Sequence, residues 1–211
     1  MLIDARLQDR MLTDTQLARL IKGTPQRRHH LINRATKAGE LVRLRRGRYV
    51  LAAAFRNLPA HPFVLAQAFL PGSYVSFETA LAYHGWIPEA VHVTACVTPG
   101  SKSSEVEHPV FGSFSFSPLP LQKGHFLEMV ARVELNAQVA LVARPLRALM
   151  DLVCLRKQEW QGLGWLVDGL RVDDEHLRST TSADIRILQS TYKLARMQAF
   201  LKAFARELGN D

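Results

Sequence analysis

The stretch TDTQLARLIKGTPQRRHHLINRATKAGELVRLRRGRYVL, residues 13–51, contains the signals of two helices and a hairpin. Thr13 offers a side-chain oxygen to the free amides that begin a helix. Leu17 and Ile21 then follow one helical turn apart, on a single face. These residues predict a short amphipathic helix over residues 14–22, which a glycine ends.

A second helix is predicted next, because Thr24 can cap it and Pro25 favours the first helical position. At about 100° per residue, Leu31, Ala35 and Ala38 lie on one side, which is expected to face the core. Polar and basic side chains occupy the remaining surface: Gln26, His29, Asn33, Thr36 and Lys37 opposite the core, His30 to one side, and Arg27, Arg28 and Arg34 on the flanks. Such a face can hydrogen-bond base edges, while the long arginine stems can reach phosphates.

A basic hairpin follows the second helix. Val42 and Leu44 alternate with Arg43 and Arg45, which is the period-two pattern of a strand with one buried face. A turn at Arg46-Gly47 leads into a return strand over residues 48–51. Helices followed by a hairpin of this kind are typical of a winged helix-turn-helix, a fold that binds DNA. The alternative that these residues leave open is a solvated basic hairpin on an ordinary small domain.

The charge distribution favours DNA binding. Residues 1–50 contain 12 Lys and Arg against 4 Asp and Glu, whereas the rest of the chain contains 15 of each sign. The whole excess of the chain, +8, therefore lies in its first quarter. This concentration indicates one nucleic-acid footprint and not general basicity. The predicted DNA contacts are Thr24, Gln26, Arg27, Arg28, His29, His30, Asn33, Arg34, Lys37, Arg43, Arg45, Arg46 and Arg48.

Length and composition place the chain among globular proteins. Its 211 residues are 47% hydrophobic and 22% charged, which provides enough apolar material for a core. No apolar run approaches the roughly 18 residues of a membrane span, and the N-terminus lacks the apolar segment of a signal peptide. Cys96 and Cys154 lie on apolar segments and are predicted to be buried and reduced. We therefore expect a cytoplasmic protein with no membrane partner.

Two domains are predicted, and the fold class is α+β. Residues 1–57 are predicted to form the DNA-binding domain, which begins with a short helix over residues 2–10. Residues 58–211 are predicted to form a mixed domain. In the mixed domain helices are predicted at 61–70, 77–84 and 145–156, mostly antiparallel strands at 91–98, 110–117, 126–133 and 139–142, and a polar loop at 101–107. From about residue 157 to 211 the chain is predicted to be helical, with an apolar stripe that we assign to the core, a partner surface being the alternative.

No pattern typical of an enzyme is found. The sequence contains no P-loop, no G-x-S-x-G elbow and no Cys/His pair at a zinc spacing. Catalytic residues, cofactors and metals are therefore not predicted, and the protein is expected not to be an enzyme. His84 is the most interesting isolated candidate, and a partly buried histidine with a satisfied hydrogen bond is its expected state.

Three segments resemble the AbiEi-type antitoxin family. Leu41–Leu51 (LVRLRRGRYVL) is similar to the family's wing, which commonly ends in a basic-x-Gly-x-Tyr pattern. Tyr74–Trp86 (YVSFETALAYHGW) looks like the family's helix in which a serine precedes Ala-Leu and then His-Gly. Ala143–Val153 (ARPLRALMDLV) looks like its helix with proline, a basic residue, Ala-Leu and aspartate. The segments stand in the family's order and cover roughly residues 10 to 155.

The resemblance implies a transcriptional regulator of a type IV toxin–antitoxin operon. Members of this family repress their own promoter by binding inverted repeats through the winged helix. Their second domain counteracts a nucleotidyltransferase toxin, and the pair can act in phage defence. The implied partners are double-stranded DNA and such a toxin, and a homodimer stays open as the binding form.

Two alternatives to an antitoxin stay open. One is a solitary ligand-responsive or dimerising regulator without a toxin. The other is a nuclease that the winged helix delivers to DNA.

Overall fold

The computed structural model describes residues 7–136 and 138–209. The chain is mixed α+β, as predicted, and it divides into two compact units. The first unit comprises Met1–Pro71 with Val133–Ala140, and the second comprises Gly72–Arg132 with Leu141–Asp211. The domain border predicted between residues 57 and 58 lies inside the first unit.

The first unit contains two helices, a small sheet and a third helix. In chain order they are β1 (Leu12–Thr13), α1 (Asp14–Leu20), α2 (Pro25–Lys37), β2 (Leu41–Arg45), β3 (Arg48–Leu51), a 3-10 helix (Ala53–Phe55) and α3 (Pro62–Phe69). The strands form an antiparallel sheet in the order β1-β3-β2. Thr13 caps α1 through a reciprocal capping box, and Thr24 caps α2. The helices and the hairpin predicted for residues 13–51 are present, although α1 ends at Leu20.

The core of this unit is small and holds α2 from one side. Its buried members are Leu12, Leu17, Ile21, Leu41, Tyr49 and Leu51. From α2, Leu31, Ile32 and Ala35 pack against these residues while staying partly exposed. The predicted core position Ala38 is wrong, because Ala38 caps the end of the helix and is exposed. Ile32 takes its place.

The helix α2 is therefore rotated about its axis relative to the predicted orientation. Thr36, predicted to point outward, is partly buried and donates its hydroxyl to the carbonyl of Ile32 at 2.9 Å. His30, predicted at one side, lies on the exposed surface. The prediction failed because it weighed alanine as a core residue and passed over isoleucine.

The helix predicted over residues 2–10 is wrong where it can be seen. Residues 7–10 form a turn in which the amide of Arg10 donates to the carbonyl of Leu7 at 3.1 Å. Residues 2–6 of that prediction lie outside the described residues.

The second unit is built on a larger sheet. Its elements are β4 (Tyr74–Val75), α4 (Phe77–Tyr83), β5 (Val93–Thr98), β6 (Ser104–His108), β7 (Gly112–Pro118), β8 (Val130–Leu135), β9 (Gln138–Ala143), α5 (Pro145–Leu155), α6 (Leu163–Leu170), α7 (Asp174–Arg178), α8 (Ser182–Thr191) and α9 (Ala195–Glu207). The strand order is β6-β7-β5-β4-β9-β8, and the tip of the β8–β9 hairpin belongs to the first unit.

Two predictions for this sheet need correction. The sheet is mixed, because β5 pairs with β7, and β4 with β9, in parallel, whereas β4 with β5 and β6 with β7 are antiparallel. Residues 101–107 are not a loop throughout, since Ser104–His108 form β6 on the edge of the sheet. Both faces of β6 carry exposed polar side chains, so it lacks the apolar alternation of a half-buried strand. The strand predicted from residue 126 begins at Val130.

The predicted C-terminal stripe belongs to the core. Ile185, Leu188, Tyr192, Phe200 and Phe204 are buried, so the prediction is confirmed for these residues. The helix is not continuous, however, because α8 ends before Tyr192, which forms a β-bridge with Leu121. None of the helices in the described part of the chain has the length and apolar composition needed to cross a membrane.

A buried polar cluster connects the sheet and helices of this unit. We define the Arg147–Asp151 cluster as Tyr74, Ser76, Arg147, Asp151 and Tyr192. Oδ1 of Asp151 accepts from Nε of Arg147 at 2.8 Å and from the hydroxyl of Tyr192 at 2.7 Å. Oδ2 accepts from Ser76 at 2.7 Å and from Tyr74 at 2.9 Å. The Arg147 and Asp151 side chains are both 0% exposed.

The charges in this cluster are compensated. The remaining nitrogens of the Arg147 guanidinium donate to the carbonyl of Glu128 at 2.8 Å and to Tyr74 at 2.6 Å. Burial lowers the pKa of Arg147, but Asp151 and the two tyrosines raise it above its usual value, so the ion pair persists. Burial, and then the Asp151 carboxylate, raise the pKa of Tyr74 and Tyr192 well above the usual value. Both hydroxyls therefore keep their protons and act as donors.

Removing the carboxylate should destabilise the fold strongly. Asp151→Asn leaves the guanidinium of Arg147 buried without a counter-charge, which is expected to lower the free energy of unfolding by about 3–5 kcal/mol. Asp174→Asn is the matched control, because Asp174 pairs with Arg178 at the same i, i+4 spacing on an exposed surface. Urea unfolding of the full chain measures both. Equal losses in the two variants would contradict the role assigned to burial.

Candidate nucleic-acid interface

The exposed face of α2 gathers most of the predicted DNA contacts. We call it the α2 face, and its exposed members are Gln26, Arg27, His29, His30, Asn33, Arg34 and Lys37. The opposite side of the helix packs on the core through Leu31, Ile32 and Ala35. Because that packing fixes the rotation of the helix, the α2 face is directed away from the core.

Two predicted contacts on α2 have structural roles at its start. The hydroxyl of Thr24 accepts from the amide of Arg27 at 3.3 Å and caps the helix. The guanidinium of Arg28 is partly buried and donates to the carbonyl of Gly23 at 2.7 Å. These side chains shape the turn between α1 and α2. They are therefore less available to a ligand than the α2 face.

A hydrogen bond orders polar groups on the α2 face. Nδ2 of Asn33 and Nε2 of His29 lie 2.9 Å apart, one helical turn from each other. If the imidazole accepts, the amide oxygen of Asn33 stays available to an incoming donor. The pair is exposed, so its remaining polar atoms can reach a ligand without a structural change.

The hairpin arginines divide into anchored and available side chains. Nη1 of Arg45 donates to the carbonyl of Phe69, the last residue of α3. Arg48 is partly buried on β3, with Thr13 opposite on one side and Arg45 on the other. Arg46 at the turn is exposed and forms no hydrogen bond or ion pair with a described residue.

Arg43 occupies the middle of the outer strand of the hairpin. It is exposed and lies opposite Tyr49 in the strand register. A shift in the strand register separates its pairing from that of Arg45, so the two arginines are not related by a regular ladder. The hairpin thus presents Arg43 and Arg46 on its surface, while Arg45 holds α3.

The hairpin turn is fixed to the start of α1. The amide of Asp14 donates to the carbonyl of Gly47 at 3.1 Å. Gly47 has a φ of +74°, and a Cβ at this position would lie 2.8 Å from Oδ2 of Asp14. Burial raises the pKa of Tyr49, and the neighbouring Asp14 carboxylate, which is hydrogen-bonded to it, raises it further. Asp14 is therefore engaged by the hairpin.

A groove lies between α1 and the first turns of α2. Its volume is about 440 Å³, and its lining residues are Asp14, Thr15, Ala18, Pro25, Arg28, His29 and Ile32. Because Asp14 also contacts Gly47, the hairpin turn adjoins the α1 wall of the groove, and the α2 face begins at its other wall. The two basic elements therefore belong to one side of the first unit.

The candidates of the second unit are structural. Nε2 of His84 lies 2.9 Å from the carbonyl oxygen of Ala143, which confirms the expected satisfied histidine. Cys96 and Cys154 are free and buried, as predicted, and burial followed by Asp151 raises the pKa of the Cys154 thiol to about 11. Across residues 7–136 and 138–209, no group of three His, Cys, Asp or Glu side chains could hold a metal ion.

The Arg147–Asp151 cluster was not predicted from the sequence. The signal was present, because an arginine and an aspartate four residues apart interrupt the otherwise apolar helix PLRALMDLVCL. Tyr74 and Tyr192 gave no comparable signal, since each lies in a segment of its own far along the chain.

No protein-family model matches the chain, and no curated protein matches it. Function is therefore inferred from the geometry and charge of the first unit and from the three segments of sequence described above.

Substitution at the hairpin turn should loosen its attachment to α1. Gly47→Ala forces alanine into the left-handed region, at about 1–2 kcal/mol, and adds a steric conflict with Asp14 worth about 1–3 kcal/mol. Gly39→Ala is the control, because Gly39 has a similar φ of +71° with nothing within 4 Å of an added Cβ. Hydrogen exchange at the Asp14 amide should accelerate in Gly47→Ala and stay near the native rate in Gly39→Ala. Equal exchange in both variants would rule out the contact.

Proposed function

We propose that the first unit is a winged helix-turn-helix that binds double-stranded DNA, and that the protein is a cytoplasmic, sequence-specific transcriptional repressor. The observation that carries this proposal is the α2 face together with the basic hairpin on one side of the unit. In this interpretation α2 is the recognition helix, and the β2–β3 hairpin is the wing.

The side chains of the α2 face suit two different tasks. Gln26 and Asn33 carry amides, which can pair with the two hydrogen-bonding groups of adenine in the major groove. Arg27 and Arg34 lie on the flank of the face, where their guanidinium groups can reach phosphates. His30, which the rotation of α2 places on the exposed surface, extends the base-reading set beside them.

The charge of the chain supports the same interpretation. Every phosphate that an arginine or lysine neutralises releases counterions from the DNA, which makes affinity depend steeply on salt. The positive excess of the protein lies in residues 1–50, so this contribution is concentrated where the α2 face and the wing are. The balanced charge of the remaining residues adds no general affinity for DNA.

The deciding measurement is a titration of the protein with its own upstream region, at several salt concentrations, against a scrambled duplex of equal length. Selective binding with a steep salt slope is expected. Equal and weak binding to both duplexes would overturn the repressor proposal. Metal-dependent cleavage of supercoiled DNA by the purified protein would instead favour the nuclease.

The wing contribution has a specific signature in this titration. Arg46→Ala should reduce the slope of log K against log salt by about 0.9, because one phosphate contact is lost. Arg46 is a cleaner choice than Arg45, whose removal would also free the carbonyl of Phe69.

Arg186→Ala is the matched control for this variant, since Arg186 is an exposed arginine of α8, outside the first unit. It should leave the slope unchanged. An unchanged slope in Arg46→Ala would remove the wing tip from the interface.

We propose further that the protein acts as the antitoxin of a type IV toxin–antitoxin system, counteracting a nucleotidyltransferase toxin in phage defence. Ser76 comes from one segment that resembles the AbiEi-type family, and Arg147 and Asp151 come from another. These residues meet in one buried cluster, which supports a common fold behind the two resemblances.

Co-expression with a nucleotidyltransferase encoded beside this protein tests the antitoxin role. Growth should be restored by the native protein and also by Arg46→Ala, because the role is assigned to the second unit. Failure of both proteins to restore growth would leave a solitary regulator, whose DNA binding is tested independently.

A further inference from the structure

The six-stranded sheet has two edge strands with different charge patterns. Within the described residues, β6 and β8 end the strand order on either side. The exposed side chains in the middle of β6 are Glu105 and Glu107, whereas those of β8 are Arg132 and Glu134. One edge therefore carries two like charges, and the other carries two opposite charges.

The β8 strand lacks the proline and lysine that commonly protect an edge, although it carries two other charged side chains. Edge strands are templates for pairing, and proteins commonly block them with proline, lysine or bulges. The sequence of β8 is VARVEL, with no proline, glycine or lysine. The side chains of Arg132 and Glu134 are exposed, and neither side chain forms an ion pair or hydrogen bond with any other residue that the structure describes.

Self-pairing of β6 is disfavoured by its charges. An antiparallel pair of two β6 strands centred on Val106 would place Glu105 opposite Glu107 of a second copy. Like charges directly opposite one another destabilise strand pairing. The acidic residues of β6 therefore protect that edge.

Self-pairing of β8 gives the opposite result. We propose that two copies of the chain associate by antiparallel pairing of β8 with β8, centred on Val133. Arg132 of each copy then lies opposite Glu134 of the other, which forms two reciprocal ion pairs on the exposed face of the strand. On the other face Ala131 lies opposite Leu135 of the second copy, so apolar side chains meet there.

The interface is small, so the association between two copies is expected to be weak. A ladder of five residues per strand, 131–135, falls in the class of weak and transient contacts. A duplex with two half-sites would hold two copies close together and raise their effective concentration. The β8 contact does not depend on DNA binding, however, and it is testable without DNA.

Charge reversal tests whether β8, and not another surface of the chain, forms the dimer contact. Sedimentation velocity of the full chain, from about 1 µM to about 1 mM, should show a concentration-dependent dimer. Arg132→Glu gives two acidic residues, and Glu134→Arg gives two basic ones, so each variant alone should dimerise at least about tenfold more weakly. An equimolar mixture of the two variants should recover the dimer, because every pair across the strands is then opposite in charge. Arg186→Glu on α8 is the control, because this charge reversal of an exposed residue leaves both edge strands unchanged, and it should dimerise as the native chain does.

Three results would overturn the proposal. The first is a native chain that stays monomeric over the whole range. The second is a dimer that both single variants retain. The third is a mixture of variants that stays monomeric. Both positions are exposed, and thermal unfolding checks that each variant is folded.

Discussion

The buried ion pair of Arg147 and Asp151 is the constraint on which the second unit depends. Moving two charges out of water costs several kcal/mol per ion, and their attraction offsets this only when the remaining polar atoms are also bonded. Here Tyr74, Ser76 and Tyr192 complete that requirement. They come from β4, the start of α4 and the residue after α8. Displacing any of these elements would therefore remove a hydrogen-bond donor from the buried Asp151 carboxylate. Ser76 is the N-cap residue of α4, but its side chain does not cap the helix, because its hydroxyl donates to Asp151.

The first unit is stabilised by weak packing together with polar contacts, and these contacts decide which basic side chains remain available on its surface. Among the described residues of α2 none is fully buried, so packing alone restrains this helix weakly. Polar contacts add the missing restraint: Arg28 bonds the turn before α2, Arg45 bonds the end of α3, and Asp14 bonds the hairpin. The structure thus uses part of its basic residues internally. The arginines that stay available include Arg46 at the hairpin turn and Arg27 and Arg34 on the flank of α2, and these are the ones that would contact the phosphates in the proposed DNA complex.

Local signals made much of this fold predictable, and long-range ones did not. Thr13, Thr24 and Pro25 mark helix starts by satisfying free amides, and Gly47 marks a turn by its positive φ, so these elements could be located from the sequence. The rotation of α2 could not, because it depends on which of several apolar side chains finds space in the core. The parallel pairing of strands in the larger sheet also has no local signal in the sequence. The predicted DNA contacts include every exposed residue of the α2 face. Periodicity could not show, however, that Arg45 would donate a hydrogen bond to a carbonyl of α3.

The charge patterns of the two units suit a repressor that assembles on its target. A strong dimer would bind an inverted repeat as one unit, and it would also hold its α2 faces at one spacing in the absence of DNA. A weak β8 contact behaves differently, because it becomes populated when two half-sites bring two copies together. The free energy of that contact then appears as cooperativity between half-sites, and the affinity of a single copy for a single half-site stays low. Isolated half-sites elsewhere in a genome would bind poorly, whereas a paired operator would be occupied. In the proposed assembly, discrimination would therefore arise from the sum of two modest interactions, the base contacts of the α2 face and the pairing of two copies at β8.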